Sequence, residues 1–258
     1  MQKSRVKSAV ISGASGGIGL ALARHYLHQG ASVAAFARRG DLLQVLAAEF
    51  PGKVYCYALD VRDTLAVRHA AEDFMCRAGV PDVVIANAGV SVGTLTECEE
   101  DIGIFQQVMD INVLGMVKTF QPFVAKMCAA RQGTLVGIAS VAGFRGLPGA
   151  GAYSASKAAA ISYLESLRVE LHGSGVKVVT ICPGYIRTPM TAGNPYPMPF
   201  ILDSDDAAKR IARVIAKQSR FAVIPWQMGL VGRALKILPC RIYDLLFVNA
   251  PRKPRVKE

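Results

Sequence analysis

Residues 6–19 read VKSAVISGASGGIG, a strand-like run that passes directly into a glycine-rich turn. Residues 17–29, which begin within this turn, have the period of a helix, so the turn joins a strand to a helix. A helix N-terminus at the carboxyl end of a strand presents unpaired N–H groups and a positive dipole, which suit a pyrophosphate. The glycines are spaced Gly13-x₃-Gly17-x-Gly19 rather than in the common G-x-G-x-x-G pattern. Because the turn lies between a strand and a helix, we favour a dinucleotide site over an ordinary tight turn.

The rest of the chain continues this alternation of short β-branched runs and longer helical segments. The alternation predicts an α/β fold, a single-domain doubly wound (Rossmann-like) parallel sheet of about seven strands with helices on both faces. A long helical stretch is predicted over 99–131 and a long proline-rich loop over 183–200. The predicted strands are 6–12, 31–37, 53–59, 82–86, 134–139, 176–181 and 221–224.

The composition excludes a disordered chain, because 52% of the 258 residues are hydrophobic and 19% are charged. The net charge of +11 points to acidic partners such as phosphates, anionic lipid or nucleic acid, without choosing among them. The excess is uneven, since the segment from Gln218 to Glu258 has eight basic residues and two acidic ones. Nucleic acid is disfavoured because these basic residues lack interleaved aromatic side chains.

The six cysteines are spaced too widely for a zinc knuckle or a Cys-x-x-Cys redox motif, and the histidines show no metal-like grouping. No metal site is therefore predicted. The sequence also shows no secretory signal and no apolar run long enough to span a membrane. A cytoplasmic protein with reduced thiols is the expectation.

The end of the second predicted strand bears on the choice of dinucleotide. It reads Phe36-Ala37-Arg38-Arg39, with no acid before Asp41. An acid at this place would bind the adenosine ribose 2′-hydroxyl of NAD, whereas a base accommodates the 2′-phosphate of NADP. An arginine can grip phosphate through its planar fork, although a solvated surface pair would look the same in sequence. NADP(H) is the predicted cofactor.

A tyrosine and a lysine stand four residues apart at the start of a predicted helix. Tyr153 and Lys157 therefore share one helix face. A free phenol is a poor acid or base at neutral pH, and a nearby ammonium is expected to lower its pKa. Ser140, at the carboxyl end of the fifth predicted strand, is placed to hydrogen-bond the same substrate oxygen. The three side chains suit proton transfer to or from a carbonyl or alcohol oxygen.

Over residues 6–225 the chain resembles the short-chain dehydrogenase/reductase family. The likeness rests on several short motifs in the order and at the intervals typical of that family. Each motif alone is weak, but the set in register is specific. The motifs are Gly13-x₃-Gly17-x-Gly19, Asn87-Ala88-Gly89, Asn112, Ser140, Tyr153-x₃-Lys157 and Pro183-Gly184.

The resemblance implies roles for individual residues. Tyr153 would be the general acid/base, Ser140 would orient the reacting oxygen, and Lys157 would hold the nicotinamide ribose and depress the pKa of the phenol. Asn112 would anchor a water that links Lys157 to a proton relay. The expected cofactor-binding residues are Gly13, Ser15, Gly17, Ile18, Gly19, Arg38, Arg39, Asp60, Val61, Asn87, Ala88, Gly89, Tyr153, Lys157, Pro183, Gly184, Ile186 and Thr188.

The loops after the fourth, fifth and sixth predicted strands carry mostly apolar side chains. This lining favours an apolar carbonyl compound or its alcohol over a sugar or a small acid. The predicted function is an NADP(H)-dependent oxidoreductase; an epimerase or dehydratase on the same scaffold, or a non-catalytic NADP-sensing protein, remain alternatives. The expected pocket residues are Val90, Val92, Val141, Phe144, Leu147, Tyr185, Met190, Met198, Phe200 and Ile201.

The last part of the chain mixes apolar and basic residues. We assign residues 1–225 to a Rossmann-like NADP-binding catalytic domain and 226–258 to a C-terminal basic amphipathic extension of the same domain. Pro239 divides the extension into two short helices, which could close a pocket, pack between subunits or lie on an anionic membrane surface. Residues 251–258 are expected to form a frayed terminus. The family resemblance suggests a homodimer or homotetramer.

Overall fold

The computed structural model describes residues 6–255, which form a parallel sheet of seven strands in the order β3-β2-β1-β4-β5-β6-β9. The predicted fold class is therefore confirmed. Two further strands, β7 and β8, pair with each other outside this sheet. The strands are β1 Ser8–Ser12, β2 Ser32–Ala37, β3 Val54–Ala58, β4 Val83–Ala86, β5 Thr134–Ile138, β6 Lys177–Pro183, β7 Ile186–Arg187, β8 Leu202–Asp203 and β9 Phe221–Ile224.

Helices cover both faces of the sheet, because alternate residues of a strand point to opposite sides. Ala9 and Ile11 of β1 pack in the layer that contains α1, α2 and α7. Val10 packs in the opposite layer, with α3, α5 and α6. The helices are α1 Gly17–His28, α2 Gly40–Glu49, α3 Thr64–Ala78, α4 Asp101–Met109, α5 Gly115–Ala129, α6 Gly151–Glu170, α7 Ser204–Ala216, α8 Trp226–Ile237 and α9 Cys240–Phe247.

The long helix predicted over 99–131 contains one irregular turn. A π-helical segment, Asp110–Leu114, joins α4 to α5, and the Gly115 amide donates to the Asp110 carbonyl across its wider ring. Gly115 packs so closely on the Val61 side chain that a Cβ there would lie 2.7 Å from it. The π turn carries Asn112 into the interior, where it is 1% exposed.

The loop predicted over 183–200 is partly ordered into strands. Pro183 is the last residue of β6, and Ile186–Arg187 pairs with Leu202–Asp203 in parallel. The prolines between them leave no further regular structure before β8. The prediction of one long loop is therefore wrong at its start, because backbone hydrogen bonds to the 202–203 segment draw the chain into a strand.

The C-terminal segment also differs from expectation. The structure has α8 and α9 on either side of Pro239, as predicted, but residues 249–255 turn back onto the body of the protein. They are not a frayed terminus within the described range, because Arg255 pairs with acidic residues of the body, Glu100 and Asp101. Residues 256–258 of that prediction lie outside the described residues. In the described part of the chain no helix is both long and apolar enough to cross a membrane.

Candidate active site

The glycine-rich turn lies after β1, at the carboxyl edge of the sheet. Gly13 and Gly17 have positive φ angles of 69° and 53°, a conformation that glycine adopts without strain. Gly19 faces the Gly13 carbonyl so closely that a Cβ would overlap it, and the same Cβ would lie 2.5 Å from Asn87 Nδ2. The three predicted glycines are thus needed for backbone conformation and for close packing of α1 against β4.

Asn87 ties the end of β4 to the end of β1. Its side-chain amide donates to the Ser12 carbonyl at 3.0 Å, and its backbone N–H donates to Ser12 Oγ at 3.1 Å. The Ala88 N–H shares the same hydroxyl at 3.2 Å. Ser12 is 1% exposed, so this hydroxyl satisfies two backbone donors that would otherwise lack a partner. The motif therefore holds the floor of the crevice together.

A cavity of about 400 Å³ opens above this floor, between the ends of β1 to β4. It brings together twelve of the predicted cofactor residues, and Gly19 packs beneath them. Gly184 and Tyr153 line a neighbouring cavity instead, whereas Lys157, Pro183 and Ile186 are buried behind the two cavities. The twelve are Gly13, Ser15, Gly17, Ile18, Arg38, Arg39, Asp60, Val61, Asn87, Ala88, Gly89 and Thr188.

The basic side chains at this cavity differ in their contacts. Arg39 donates from Nη2 to Ser15 Oγ at 3.1 Å, which places its guanidinium beside the glycine-rich turn. Arg38 is exposed at the rim. Asp60 accepts from Arg62 at 2.8 Å, and this contact is the main reason why the pKa of Asp60 is lowered. A positively charged rim, glycine N–H groups and a helix N-terminus fit the pyrophosphate of a dinucleotide.

The tyrosine and lysine predicted to be catalytic occupy the first turns of α6. Lys157 is 4% exposed and donates from Nζ to the Ile138 carbonyl at 2.9 Å. The same Nζ lies 5.7 Å from the centre of the Tyr153 ring. Burial lowers the pKa of Lys157 to about 8, because the interior disfavours its charged form.

The expected acidification of the phenol is not found. Burial raises the pKa of Tyr153 above its usual value, and a hydrogen bond with Ser140 opposes that effect only in part. Lys157 does not offset this effect of burial on the pKa of Tyr153. Its ammonium donates to the Ile138 carbonyl, and burial disfavours the charged form of the lysine as well. The surroundings of Tyr153 within the protein therefore raise the pKa of its phenol, whereas the sequence predicted that the Lys157 ammonium would lower it.

Ser140 and Asn112 are both fixed by hydrogen bonds. The Ala142 N–H donates to Ser140 Oγ at 3.1 Å, which holds the serine at the start of a short 3₁₀ turn. Asn112 donates to Ser156 Oγ and to the Val90 carbonyl, each at 2.9 Å. The structure thus brings Ser140 and Tyr153 to one cavity and places Asn112 behind them as a brace between the β4 loop and α6. A role for Asn112 in a water relay stays a prediction.

A second cavity, of about 420 Å³, adjoins the first, and Met190 lines both. Ser140 and Tyr153 lie on its wall, which is otherwise mainly apolar. Five of the predicted pocket residues are found there, and Val90 lines the first cavity. The prediction is wrong for Val92, Met198, Phe200 and Ile201, which line neither cavity. The five are Val141, Phe144, Leu147, Tyr185 and Met190.

Other residues of this wall were missed by the sequence analysis. Met228, Val231 and Leu235 of α8 line the cavity, and so does Phe247 of α9. The apolar residues of α8 and α9 recur with helical spacing, but that pattern does not indicate which face of each helix points into the cavity. Lys253 also reaches the cavity, and nothing in the local sequence indicates that.

Comparison with known proteins agrees with this geometry. The family model described as short chain dehydrogenase matches residues 7–196. A protein described as an uncharacterized oxidoreductase of Myxococcus xanthus is 36% identical over 247 residues, 95% of this chain and 97% of that protein. A 2-dehydro-3-deoxy-L-rhamnonate dehydrogenase (NAD(+)) of Sphingomonas sp. is 36% identical over 184 residues, 71% of this chain and 74% of that protein.

Solved structures show the same likeness. An alcohol dehydrogenase from the archaeon Thermococcus sibiricus, complexed with 5-hydroxy-NADP, superposes with a TM-score of 0.73. It is 28% identical, and the match covers 84% of this chain and 95% of that one. The fold and the two adjoining cavities are those of a nicotinamide-dinucleotide oxidoreductase. The chain belongs to the short-chain dehydrogenase family.

Proposed function

We propose that the protein is an NADP(H)-dependent oxidoreductase that interconverts a carbonyl and an alcohol on a mainly apolar substrate. The observation that carries the proposal is the meeting of the two cavities. One has the glycine turn and phosphate-binding groups, and the other has Ser140 and Tyr153 on an apolar wall. Met190 lies on both. A dinucleotide in the first cavity would thus stand beside a substrate in the second.

The chain's own residues supply binding and proton transfer. When bound, the dinucleotide supplies or accepts the hydride. In the reducing direction, Tyr153 donates its phenolic proton to the substrate carbonyl oxygen, and the Ser140 hydroxyl donates a hydrogen bond to the same oxygen. Lys157, whose Nζ lies 5.7 Å from the centre of the Tyr153 ring, would hold the nicotinamide ribose. Reduction is the proposed working direction, and it follows from the preference for NADP(H).

The preference for NADP over NAD is supported by the charges at the end of β2. Ala37 is 7% exposed and occupies the place where NAD-binding relatives would need an acid. Arg38 and Arg39 follow, and both line the dinucleotide cavity. Asp60, the acid nearest to them on that wall, is already paired with Arg62. A 2′-phosphate would therefore meet two guanidinium groups and one carboxylate, whose charge is already partly balanced by Arg62.

Consumption of NADPH in the presence of a panel of ketones and aldehydes tests the proposal. We expect a loss of absorbance at the nicotinamide band with apolar ketones and little with sugars. Tight NADPH binding without turnover on any member of the panel would instead support a nucleotide-sensing protein. Substrate conversion without net NADPH consumption would support an epimerase or dehydratase.

We also propose that copies of the chain associate through helices α4 to α6, as a homodimer or homotetramer. Apolar side chains on these helices face solvent, and a partner copy would cover them. Light scattering after size exclusion would measure the mass, and a monomer at micromolar concentration would contradict this proposal. The exposed side chains are Ile102, Phe105, Leu114 and Val169.

We propose that the protein is cytoplasmic and that α8 and α9 make a peripheral contact with anionic membrane surfaces. Their inner faces line the substrate cavity, whereas their outer faces expose large apolar side chains, with Ile237 83% and Leu245 78% exposed. The basic residues Arg233, Lys236 and Arg241 are exposed on the same helices. Apolar anchors combined with cations suit a helix that lies in the headgroup region of an anionic bilayer.

The double substitution Ile237→Asp with Leu245→Asp is expected to lower binding to vesicles of anionic lipid by at least about tenfold. Each substitution removes roughly 1.5–3 kcal/mol of the binding free energy that comes from burying an apolar side chain in the bilayer. Vesicle sedimentation measures the bound fraction. The matched control is Val45→Asp with Leu65→Asp, which changes two exposed apolar residues of α2 and α3. Equal recovery of the wild-type protein in the supernatant with and without vesicles would contradict membrane contact.

A further inference from the structure

Residues 249–255, which we call the C-terminal strap, contribute Ala250, Pro251 and Lys253 to the wall of the substrate cavity. The Gly93 N–H donates to the Pro254 carbonyl at 3.1 Å. A Cβ on Gly93 would overlap the Lys253 carbonyl, so the close approach depends on this glycine. A Cβ on Gly149, in a loop that pairs with the Gly93 loop through the Thr94 N–H and the Gly149 carbonyl, would lie 2.7 Å from Arg252 Cβ. The strap therefore follows a defined path along these two paired loops.

An ion pair fixes the far end of the strap. Arg255 donates from Nε to one oxygen of the Asp101 carboxylate at 2.8 Å and from Nη2 to the other at 3.1 Å. The Asp101 side chain is 6% exposed and also accepts the Leu95 N–H at 2.7 Å. A second contact joins Arg255 to Glu100 at 2.7 Å. Bidentate pairing of this kind is directional, so it sets the register of the neighbouring Lys253.

Lys253 is held so that its ammonium enters the substrate cavity. Nζ donates to Ser91 Oγ at 2.6 Å and lies 5.7 Å from the centre of the Tyr153 ring. An ammonium has three N–H donors, and this serine is its one hydrogen-bond acceptor among residues 6–255. Within that range it has no carboxylate partner either. Burial in the cavity lowers its pKa, as expected for a charge without a counterion.

The other cation of the cavity wall is already engaged. Arg145 stacks over the Tyr243 ring, with 4.4 Å between the guanidinium carbon and the ring centre. It also donates to the Lys236 carbonyl at 3.4 Å. Lys253 is thus the cation with spare donors beside the tyrosine, in a chamber whose other walls are mainly apolar.

We propose that Lys253 binds a carboxylate on the substrate, so that the preferred substrates are oxo acids or hydroxy acids with an apolar body. The inference rests on the proposed function and narrows its substrate class. The carboxylate takes the two free N–H donors of Lys253, while the carbonyl meets Tyr153 and Ser140. Because Nζ and the tyrosine ring are close, the carboxylate and the reacting carbonyl are separated by a short stretch of the substrate. The remaining apolar part of the substrate fills the chamber lined by α8.

The test compares medium-chain oxo acids with their methyl esters, with the oxo group at successive positions. Wild-type protein is expected to favour the acid. In Lys253→Met the ratio of kcat/KM for acid to ester should fall by about 10–100-fold, because a hydrogen bond to a charged group contributes about 1.5–3 kcal/mol. The loss should appear mainly in KM, since the contact is made equally before and during the reaction. Lys253→Arg should retain part of the preference.

Lys217→Met is the matched control, because that lysine is exposed at the end of α7 and lines neither cavity. Calorimetric binding of a medium-chain saturated carboxylate gives a readout that does not require turnover. Weaker carboxylate binding to Lys253→Met than to wild type would support the carboxylate site, whether or not any oxo acid is reduced. A failure to reduce any oxo acid would count against the proposed function and not against the carboxylate site. An unchanged acid-to-ester ratio, or equal carboxylate binding by both proteins, would overturn the inference.

Discussion

Replacing Tyr153 with Phe is expected to lower kcat by about 10²–10⁴-fold, the usual contribution of a positioned acid or base. The substitution removes only the hydroxyl and keeps the ring that packs beside Lys157 and Lys253. NADPH affinity, followed by fluorescence titration, should therefore stay near that of wild type. Tyr163→Phe is the control, since it deletes a phenol from the same helix at a site that lines neither cavity.

The direction of the pKa shift adds a pH dependence to this prediction. Burial raises the pKa of the Tyr153 phenol, so loss of its proton should not limit reduction between about pH 6 and 8, and a fall in rate towards pH 8 would report Lys157, whose pKa is about 8. Alcohol oxidation needs the phenolate and should rise with pH over the same range. Near-normal turnover by Tyr153→Phe would remove the tyrosine from the mechanism.

The second large effect is expected at the cofactor. Arg38→Asp should shift the preference for NADPH over NADH, measured as the ratio of their kcat/KM values, by about 10–100-fold towards NADH. The new carboxylate would repel a 2′-phosphate and could accept a hydrogen bond from a ribose 2′-hydroxyl. Arg39→Ala should weaken NADPH binding as well, because its guanidinium stands at Ser15 beside the same cavity.

Arg220→Asp changes the net charge equally at an exposed site outside both cavities, and it serves as the control. An unchanged cofactor ratio in Arg38→Asp would mean that the 2′-phosphate is held elsewhere. An unchanged ratio in both Arg38→Asp and Arg39→Ala would argue against NADP preference altogether. Each outcome is independent of the substrate chosen, provided that the same one is used throughout.

Much of the fold could be predicted because its signals are local. Strand periodicity and the glycine turn specify the alternation of elements, and parallel sheets place the ends of all their strands at one edge. That edge gathers Gly13, Asn87 and Ser140, so their meeting follows from their positions after strands. The family resemblance supplied most of the individual cofactor residues, and twelve of them line the first cavity.

The parts that could not be predicted depend on contacts distant in sequence. The pKa of Tyr153 is set by burial among several elements, and a helical i, i+4 spacing says nothing about that burial. The π turn at Asn112 is accompanied by close packing of Gly115 on Val61, a contact between residues more than fifty positions apart in sequence. Lys253 lies within a basic tail whose composition is typical of a solvated terminus. Its ammonium reaches the substrate cavity because the backbone of the tail packs against Gly93.

The strap also has a consequence for the order in which the protein matures. A ribosome makes the chain from the amino end, so every strand of the sheet is available for pairing before residues 249–255 emerge. The dinucleotide cleft can be complete at that stage, whereas the chamber beside Tyr153 still lacks a wall. Nascent protein would then hold its nucleotide before it can discriminate among substrates, and selectivity would be the last property acquired.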